Sequence, residues 1–298
     1  MSSTALTIPY PLQYQPAECL HWLDRGYDEV LYHVHPQGVI RAIAIGGKPF
    51  ILDLYTGAEA WELHISPDPG PTEQKQITTY VIDWLGLSDN LQSFYVELEK
   101  HPRLKSLHDF RGLPLVGIPD LFEALCWSIL GQQINLRFAY QLKRRLVEHY
   151  GTAIQYRDRT CWLFPTPEQI LSADPEALRA MKISRSKINY LQIIAAAMHK
   201  GSLSKAGLLA LPAFAERQKA LIAHKGIGVW TANYVLMKCL RDPGAIPWGD
   251  AGLHNALINL GIMKDKNDSG AAKALFAGFT GWESLLVVYL WRSLTAKK

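Results

Sequence analysis

The sequence predicts a mainly α protein with an α+β N-terminal domain. Three observations carry that reading. Short runs of β-branched and aromatic residues between Glu29 and Ile65 are separated by tight-turn signals. The apolar period then changes from alternating to helical around Ile77. From Pro114 onward, helix start and stop signals recur almost without interruption. Residues 1–112 are therefore expected to form the α+β unit, and residues 113–298 an all-α unit.

In the first unit, Val30-Leu31-Tyr32, Val39-Ile40, Ala42-Ile43-Ala44-Ile45 and Phe50-Ile51-Leu52 read as strands, with turns at Pro36-Gln37-Gly38 and Gly46-Gly47. Trp61-Glu62-Leu63-His64-Ile65 alternates as a half-buried strand does. After Pro67-Asp68-Pro69-Gly70-Pro71, the spacing of Ile77, Tyr80, Val81, Trp84 and Leu85 predicts a helix packed on that sheet. In the second unit, Asp120 with Glu123 and Thr166 with Gln169 have capping-box spacing, and Asp174-Pro175 and Ser184 mark two further starts. Gly151 and Gly201 sit where helices stop. Pro212 to Ala223 predicts another helix, with Pro212 in its first turn and Phe214, Leu221 and Ile222 on one side.

That helix leads into Lys225-Gly226-Ile227-Gly228-Val229-Trp230-Thr231-Ala232-Asn233-Tyr234. Two glycines one residue apart let the backbone turn tightly and approach a ligand without an intervening side chain. A helical pattern follows at once, so the amides of Gly228, Val229 and Trp230 are donors at a helix start, where an anion such as a DNA phosphate is favoured. Gly-x-Gly alone is a weak signal, so its surroundings decide. No strand precedes the glycines and no Gly-Lys-Ser or Gly-Lys-Thr follows them, which removes the Rossmann and Walker readings. A helix-hairpin-helix near residues 222–232 remains.

Composition sets wide bounds. With 31 basic and 27 acidic residues the net charge is +4, which permits a nucleic-acid partner without demanding one. Cys19, Cys126, Cys161 and Cys239 form no Cys-x-x-Cys pair, and His35, His64, His224 and His254 have no ligand-like spacing, so no metal site is expected. Cys126 and Cys239 read as core residues. Met1-Ser2-Ser3-Thr4 does not lead into an apolar segment and no run approaches a membrane span, which gives a cytoplasmic expectation, nucleoid-associated if the source is a bacterium.

Several separate stretches, in order, carry a family resemblance. They are Asp120-Leu121-Phe122-Glu123-Ala124-Leu125 running into Ile129-Leu130-Gly131-Gln132-Gln133-Ile134, then Phe164-Pro165-Thr166-Pro167, the hairpin, Asp250 in Pro247-Trp248-Gly249-Asp250, and Trp282 with Leu290-Trp291. On these the chain resembles the helix-hairpin-helix (HhH-GPD) superfamily of DNA glycosylases, within it the DNA-3-methyladenine glycosylase II branch, from about Ile118 to the C-terminus. The resemblance implies two helical subdomains around a cleft, preceded by a TATA-binding-protein-like domain. It implies a monomer that extrudes an alkylated purine from double-stranded DNA and hydrolyses its N-glycosidic bond, without a cofactor. The family's monovalent cation would lie at backbone oxygens around Ala223, Gly226 and Gly228.

The resemblance also assigns residues. Asp250 matches the catalytic aspartate, which stabilises oxocarbenium character or orients water; its spacing alone first suggests the cap of a helix starting at Ala251, and the two roles are compatible. Trp230 stands where bifunctional members carry a Schiff-base lysine, so strand cleavage is not expected. Lys225 and Lys238 lie off that position and read as surface lysines. Trp230, Tyr234 and Trp291 match base-pocket positions, although helical spacing alone makes them core. Gln133 falls at the wedge position, usually leucine, with Gln132 and Asn135 as alternatives and Asn135 also a helix cap.

Lys225, Gly226, Gly228 and Thr231 are the remaining candidate DNA contacts. Lys225 replaces the usual proline and Glu283 follows Trp282 where arginine is common. Lys143-Arg144-Arg145 and the group Arg179, Lys182, Arg185 and Lys187 are either phosphate contacts or a solvated face. Two other functions stay open: a glycosylase for oxidised, deaminated or mispaired bases, and a non-catalytic DNA-binding module.

Overall fold

The computed structural model describes residues 4–295. Its N-terminal part contains β1 (Thr4–Pro9), α1 (Pro16–Leu23), β2 (Tyr32–His35), β3 (Gly38–Ile45), β4 (Lys48–Thr56), β5 (Ala60–Ser66), α2 (Pro71–Leu85) and α3 (Leu91–Leu98), followed by a 3₁₀ segment at Pro102–Phe110. The five strands form one antiparallel sheet in the order β1-β5-β4-β3-β2. Alternation in β5 buries Trp61, Leu63 and Ile65, and the α2 residues Ile77, Val81, Trp84 and Leu85 join them in the core. β1 and α1 had no expectation attached, because Leu6 and Ile8 are too few for a pattern. The strand expected at Val30 begins at Tyr32; the amides of Val30 and Leu31 instead donate to Glu29 Oε1, at 2.8 and 2.9 Å.

The helical part runs α4 (Leu121–Gly131), α5 (Leu136–Tyr150), β6 (Thr152–Tyr156), β7 (Arg159–Leu163), α6 (Pro167–Leu171), α7 (Pro175–Ala180), α8 (Arg185–His199), α9 (Lys205–Leu209), α10 (Phe214–Ile222), α11 (Val229–Lys238), α12 (Ala251–Asn259), α13 (Ser269–Ala277) and α14 (Glu283–Ser293). The hairpin β6–β7 corrects the all-α expectation for this region. Ile154, Tyr156, Cys161 and Leu163 pack against Ile40, Ala42 and Ile51, so the hairpin lies on the face of the sheet away from the main core. Its turn carries Arg157 at φ 54 and no glycine, so the usual hairpin signal is missing.

The helix boundaries follow local chemistry. Asp120, Asn135, Thr166, Asp174 and Ser184 each accept a backbone N–H of the helix they start, and Thr166 with Gln169 closes a full capping box. Gly151 ends α5, and Gly201, at φ 73, follows α8. In α10, Pro212 lies outside the helix and Ile222 is exposed; Leu221 alone of the expected face is fully buried.

Two buried ion pairs join the sheet part to the helices. Arg41 on β3 donates to Glu123 on α4 at 2.5 Å, with the guanidinium 4.9 Å from the Trp84 ring. Lys143 on α5 donates to Glu29 at 2.5 Å. Lys143-Arg144-Arg145, expected as either phosphate contacts or a solvated face, is instead bound within the chain: Arg144 pairs with Asp28 and Glu148, and Arg145 donates to the Met181 carbonyl. One continuous apolar core extends from Ile8 to Leu290 through both parts.

Candidate active site

The hairpin is built from backbone. α10 stops at Ile222, the Ile227 amide donates to the His224 carbonyl at 3.1 Å, and the buried Ile227 side chain pins the loop to the core. Gly226 has φ 97, and an added Cβ there would run into the Tyr190 ring, so glycine is required twice over. Gly228 caps α11 without a side-chain bond, leaving the first-turn amides turned outward as donors. Lys225 beside them is exposed. Thr231 departs from its expectation as a DNA contact. It is buried, and its hydroxyl accepts from the side chain of Gln132 at 3.1 Å.

One turn along α11, three aromatic residues gather around a carboxylate. Asp250 follows Gly249, whose φ of 88 turns the chain so that Asp250 becomes the N-cap of α12. Its Oδ1 accepts from the Leu253 amide at 2.7 Å and from Trp291 Nε1 at 2.9 Å. Its Oδ2 accepts from Trp230 Nε1 at 3.2 Å. The helix cap and the candidate catalytic carboxylate are therefore the same group. Gly252 faces Asp250 and Trp291 so closely that a Cβ would lie 3.1 Å from Oδ1 and 3.3 Å from Trp291 Cδ1.

The rings continue away from the carboxylate. Trp230 and Tyr234 stack with centroids 5.6 Å apart, and Tyr234 and Trp291 lean together at 6.2 Å. All three are only partly buried, which departs from plain core packing and leaves ring surface open to a ligand. Tyr234 is held by Trp127, whose indole N–H donates to the phenol oxygen at 2.8 Å; burial pushes the Tyr234 phenol above its ordinary pKa. Trp127, lost in the apolar run of α4, carried no polar signal that sequence reasoning could use. The same holds for Tyr140 and Tyr27, which stack on each other at 4.9 Å behind Trp127.

The loop between α4 and α5 carries the wedge candidates. Gln133 is exposed and sits at φ 55; Asn135 is exposed too but its side chain is taken up in capping α5, where it accepts from Phe138, and Gln132 is turned inward, which favours Gln133 as the wedge. Lys238 departs from its surface expectation. It is buried, donates to the Val116 carbonyl and lies 5.5 Å from the Trp22 ring; burial, with Arg25 and Arg241 nearby, lowers its pKa to about 7. Lys187 is buried as well, donating to the Leu130 carbonyl at 2.7 Å, while Arg179 pairs with Glu176. Glu283, which had no explanation in sequence, accepts the Gly281 amide at 2.6 Å ahead of α14. A hollow of about 440 Å³ lined by Asp89, Lys205, Arg241 and Trp282 lies apart from these residues, and its Lys205 and Arg241 are already bonded to Asp83 and Asp89.

The hairpin after α10, the capped carboxylate, and Trp230 and Tyr234 of the aromatic wall lie within one family model, which matches residues 126–279 as the HhH-GPD superfamily of base excision DNA repair proteins. The chain belongs to that superfamily. Its relatives include a Bacillus subtilis DNA-3-methyladenine glycosylase, 37% identical over 280 residues and 92% of either chain. Among solved structures, a 3-methyladenine DNA glycosylase from Archaeoglobus fulgidus superposes with a TM-score of 0.82 at 22% identity, covering 96% of this chain and 97% of that one. A Clostridium acetobutylicum 8-oxoguanine glycosylase/lyase in complex with double-stranded DNA gives 0.69 at 19% identity, covering 89% and 87%. At those identities the likeness shows a shared fold alone.

Among the cation-site oxygens suggested for this superfamily, Gly226 O accepts from Gln132 and Gly228 O from the Ala232 amide. A backbone carbonyl has two lone pairs, so each of these oxygens keeps one with which it would ligate a monovalent cation.

Proposed function

We propose that this HhH-GPD protein is a monofunctional DNA glycosylase that removes alkylated purines, such as 3-methyladenine and 7-methylguanine, from double-stranded DNA, acting as a monomer. The observation that carries the reading is Asp250, fixed by two indole N–H groups that belong to the aromatic wall itself. A base laid against Trp230, Tyr234 and Trp291 would bring its sugar to the carboxylate. Electron-rich ring faces attract a cationic alkylated base over a neutral one, by about 0.5–2 kcal/mol per desolvated contact.

In the reaction the C1′–N bond breaks, its electron pair leaves with the base, and positive charge develops on the sugar. Asp250 faces that charge and accepts the proton of the water that adds to C1′. A purine already cationic leaves without a strong general acid, which suits a site with one carboxylate. Trp230 occupies the Schiff-base position and offers no amine. Lys238, the next lysine along α11, is buried under Val116 and Trp22. Hydrolysis therefore ends at an abasic site. The outward amides of Val229 and Trp230, with Lys225, would hold the phosphate backbone, and residues 1–112 would brace the helices from behind.

The test is base release from duplex oligonucleotides carrying 7-methylguanine, a 3-methyladenine analogue or hypoxanthine, followed by alkaline cleavage of the abasic product. Release of the alkylated bases, with strand breaks appearing only after alkali, is expected. Protein that binds these duplexes yet frees no base would be a DNA-binding module, and nicking without alkali would remove the monofunctional assignment.

A further inference from the structure

The loop that presents Gln133 is held in an unusual way. Gln133 occupies the left-handed region at φ 55, a conformation uncommon for a non-glycine residue and slightly strained. Its own side chain is exposed. The hold comes from its neighbours. Gln132, the C-cap of α4, donates from Nε2 to the Gly226 carbonyl at 2.9 Å and to Thr231 Oγ1 at 3.1 Å. Those acceptors lie on either side of the helix start that faces phosphate.

α8 completes a truss. Lys187 on its first turn donates to the Leu130 carbonyl at 2.7 Å, one of the unpaired carbonyls at the end of α4. Tyr190, three residues further along, lies directly beneath Gly226. One helix thus supports both the end of α4 and the hairpin, and the Gln132 amide closes the third side. Asn135 fixes the far end of the loop by capping α5.

We propose that Gln132 is a positioning residue that couples the phosphate-gripping hairpin to the wedge, so that Gln133 enters the duplex only while the hairpin holds the backbone. The inference rests on the glycosylase reading for its rate measurements and on geometry alone for its extrusion measurement. Without the amide, the Gly226 carbonyl and the Thr231 hydroxyl lose their shared donor, and Gln133 is free to relax from φ 55. The catalytic carboxylate and the aromatic wall contain no atom of this truss.

The experiment uses Gln132→Met, which keeps length and volume and removes the donor, with Gln132→Glu as a second variant that also cannot donate. Extrusion is read by the fluorescence of 2-aminopurine paired with thymine in a duplex at saturating protein. Base release is read in single turnovers on 7-methylguanine, either paired with cytosine or facing an abasic-site analogue, where extrusion costs less. With two hydrogen bonds lost, both variants should release the paired base about tenfold more slowly. The unpaired base should stay within about threefold of the unaltered protein, since the extrusion cost is already lowered.

The fluorescence rise should fall in parallel with the paired-base rate, and Thr231→Ser, which keeps the hydroxyl, should behave as unaltered protein. Equal losses on paired and unpaired substrates would make Gln132 a general structural residue and overturn the coupling, as would an unchanged paired-base rate. Were the unaltered protein to release neither base, the glycosylase reading would fall. The fluorescence comparison would still decide the coupling: an undiminished rise with Gln132→Met overturns it.

Discussion

Carboxylates in this protein are treated in two ways, and the seam and the candidate site show the contrast. At the seam, Glu123 and Glu29 are buried against Arg41 and Lys143, each at 2.5 Å, so each negative charge is cancelled by a cation. At the candidate site, Asp250 receives neutral donors: two indoles and one backbone amide. A buried carboxylate that serves structure is paired, because leaving it alone costs too much. One that must answer a positive charge arriving with the substrate is held in place and left electrostatically uncommitted. Within the seam itself the two carboxylates differ in pKa direction. Burial raises Glu123 and outweighs the lowering effect of Arg41, whereas at Glu29 the burial effect is more than offset by Lys143 and the Val30 and Leu31 amides.

The widest break in that comparison is Asp250→Asn. The amide keeps an oxygen to accept the Leu253 N–H, so the α12 cap survives, but the charge is gone. Single-turnover base release from a 7-methylguanine duplex should fall on the order of a thousandfold, with the melting temperature and DNA binding nearly unchanged. A variant that kept its turnover would remove Asp250 from the mechanism.

Arg41→Met does the reverse. It strands Glu123 in the core and should cost about 3 kcal/mol of stability, measured by urea denaturation. Activity per folded molecule should hold, because the pair lies at the seam and touches no site residue. The double change Arg41→Met with Glu123→Leu should recover most of the loss. If the single change reduced base release while the protein remained folded, the seam would be part of the site and the contrast would dissolve.

What the sequence disclosed follows from the same division between local and distant causes. Helix starts at Asp120, Thr166, Asp174 and Ser184 and the turn at Gly226 depend on bonds within a few residues, and all were legible. Asp250 was legible as a cap, and the family motif marked it for the catalytic role proposed above. Lys143 and Lys238 were misread as surface because their partners, Glu29 and Val116, lie 114 and 122 residues away. The β6–β7 hairpin was missed because its turn lacks glycine and its packing partners are on β3 and β4. Gln132, weighed only as a wedge, acts across 94 residues on Gly226.

Lys238 tests the cost of an unpaired buried charge directly. Its pKa of about 7 lies below the 10.5 of a free lysine. Below pH 7 both folded and unfolded chains carry the proton, and the folded state bears the full cost of burying it. Between pH 7 and 10.5 the unfolded chain binds a proton that the folded one has released, so this residue makes stability rise with pH across that window. Thermal melts at acid, neutral and alkaline pH should show Lys238→Met raising the melting temperature most at the acid end, with the gap closing as pH increases. A gap independent of pH would mean that the lysine is neutral, or charged, throughout.

Trp291→Phe is the smallest change that still discriminates. It keeps an aromatic face beside Tyr234 and removes the N–H that reaches Asp250 Oδ1. If neutral donors only hold the carboxylate in place, the loss should be that of one hydrogen bond, roughly tenfold in turnover. Because the Leu253 amide still binds the same oxygen and Trp230 binds the other, stability should scarcely move. Saturating the enzyme with a paired 7-methylguanine duplex separates the two roles of this residue: a fall in turnover reports the lost donor, and weaker binding reports the lost ring area. A change confined to binding would make Trp291 a pocket wall only, leaving Asp250 to be oriented by Trp230 and the helix start.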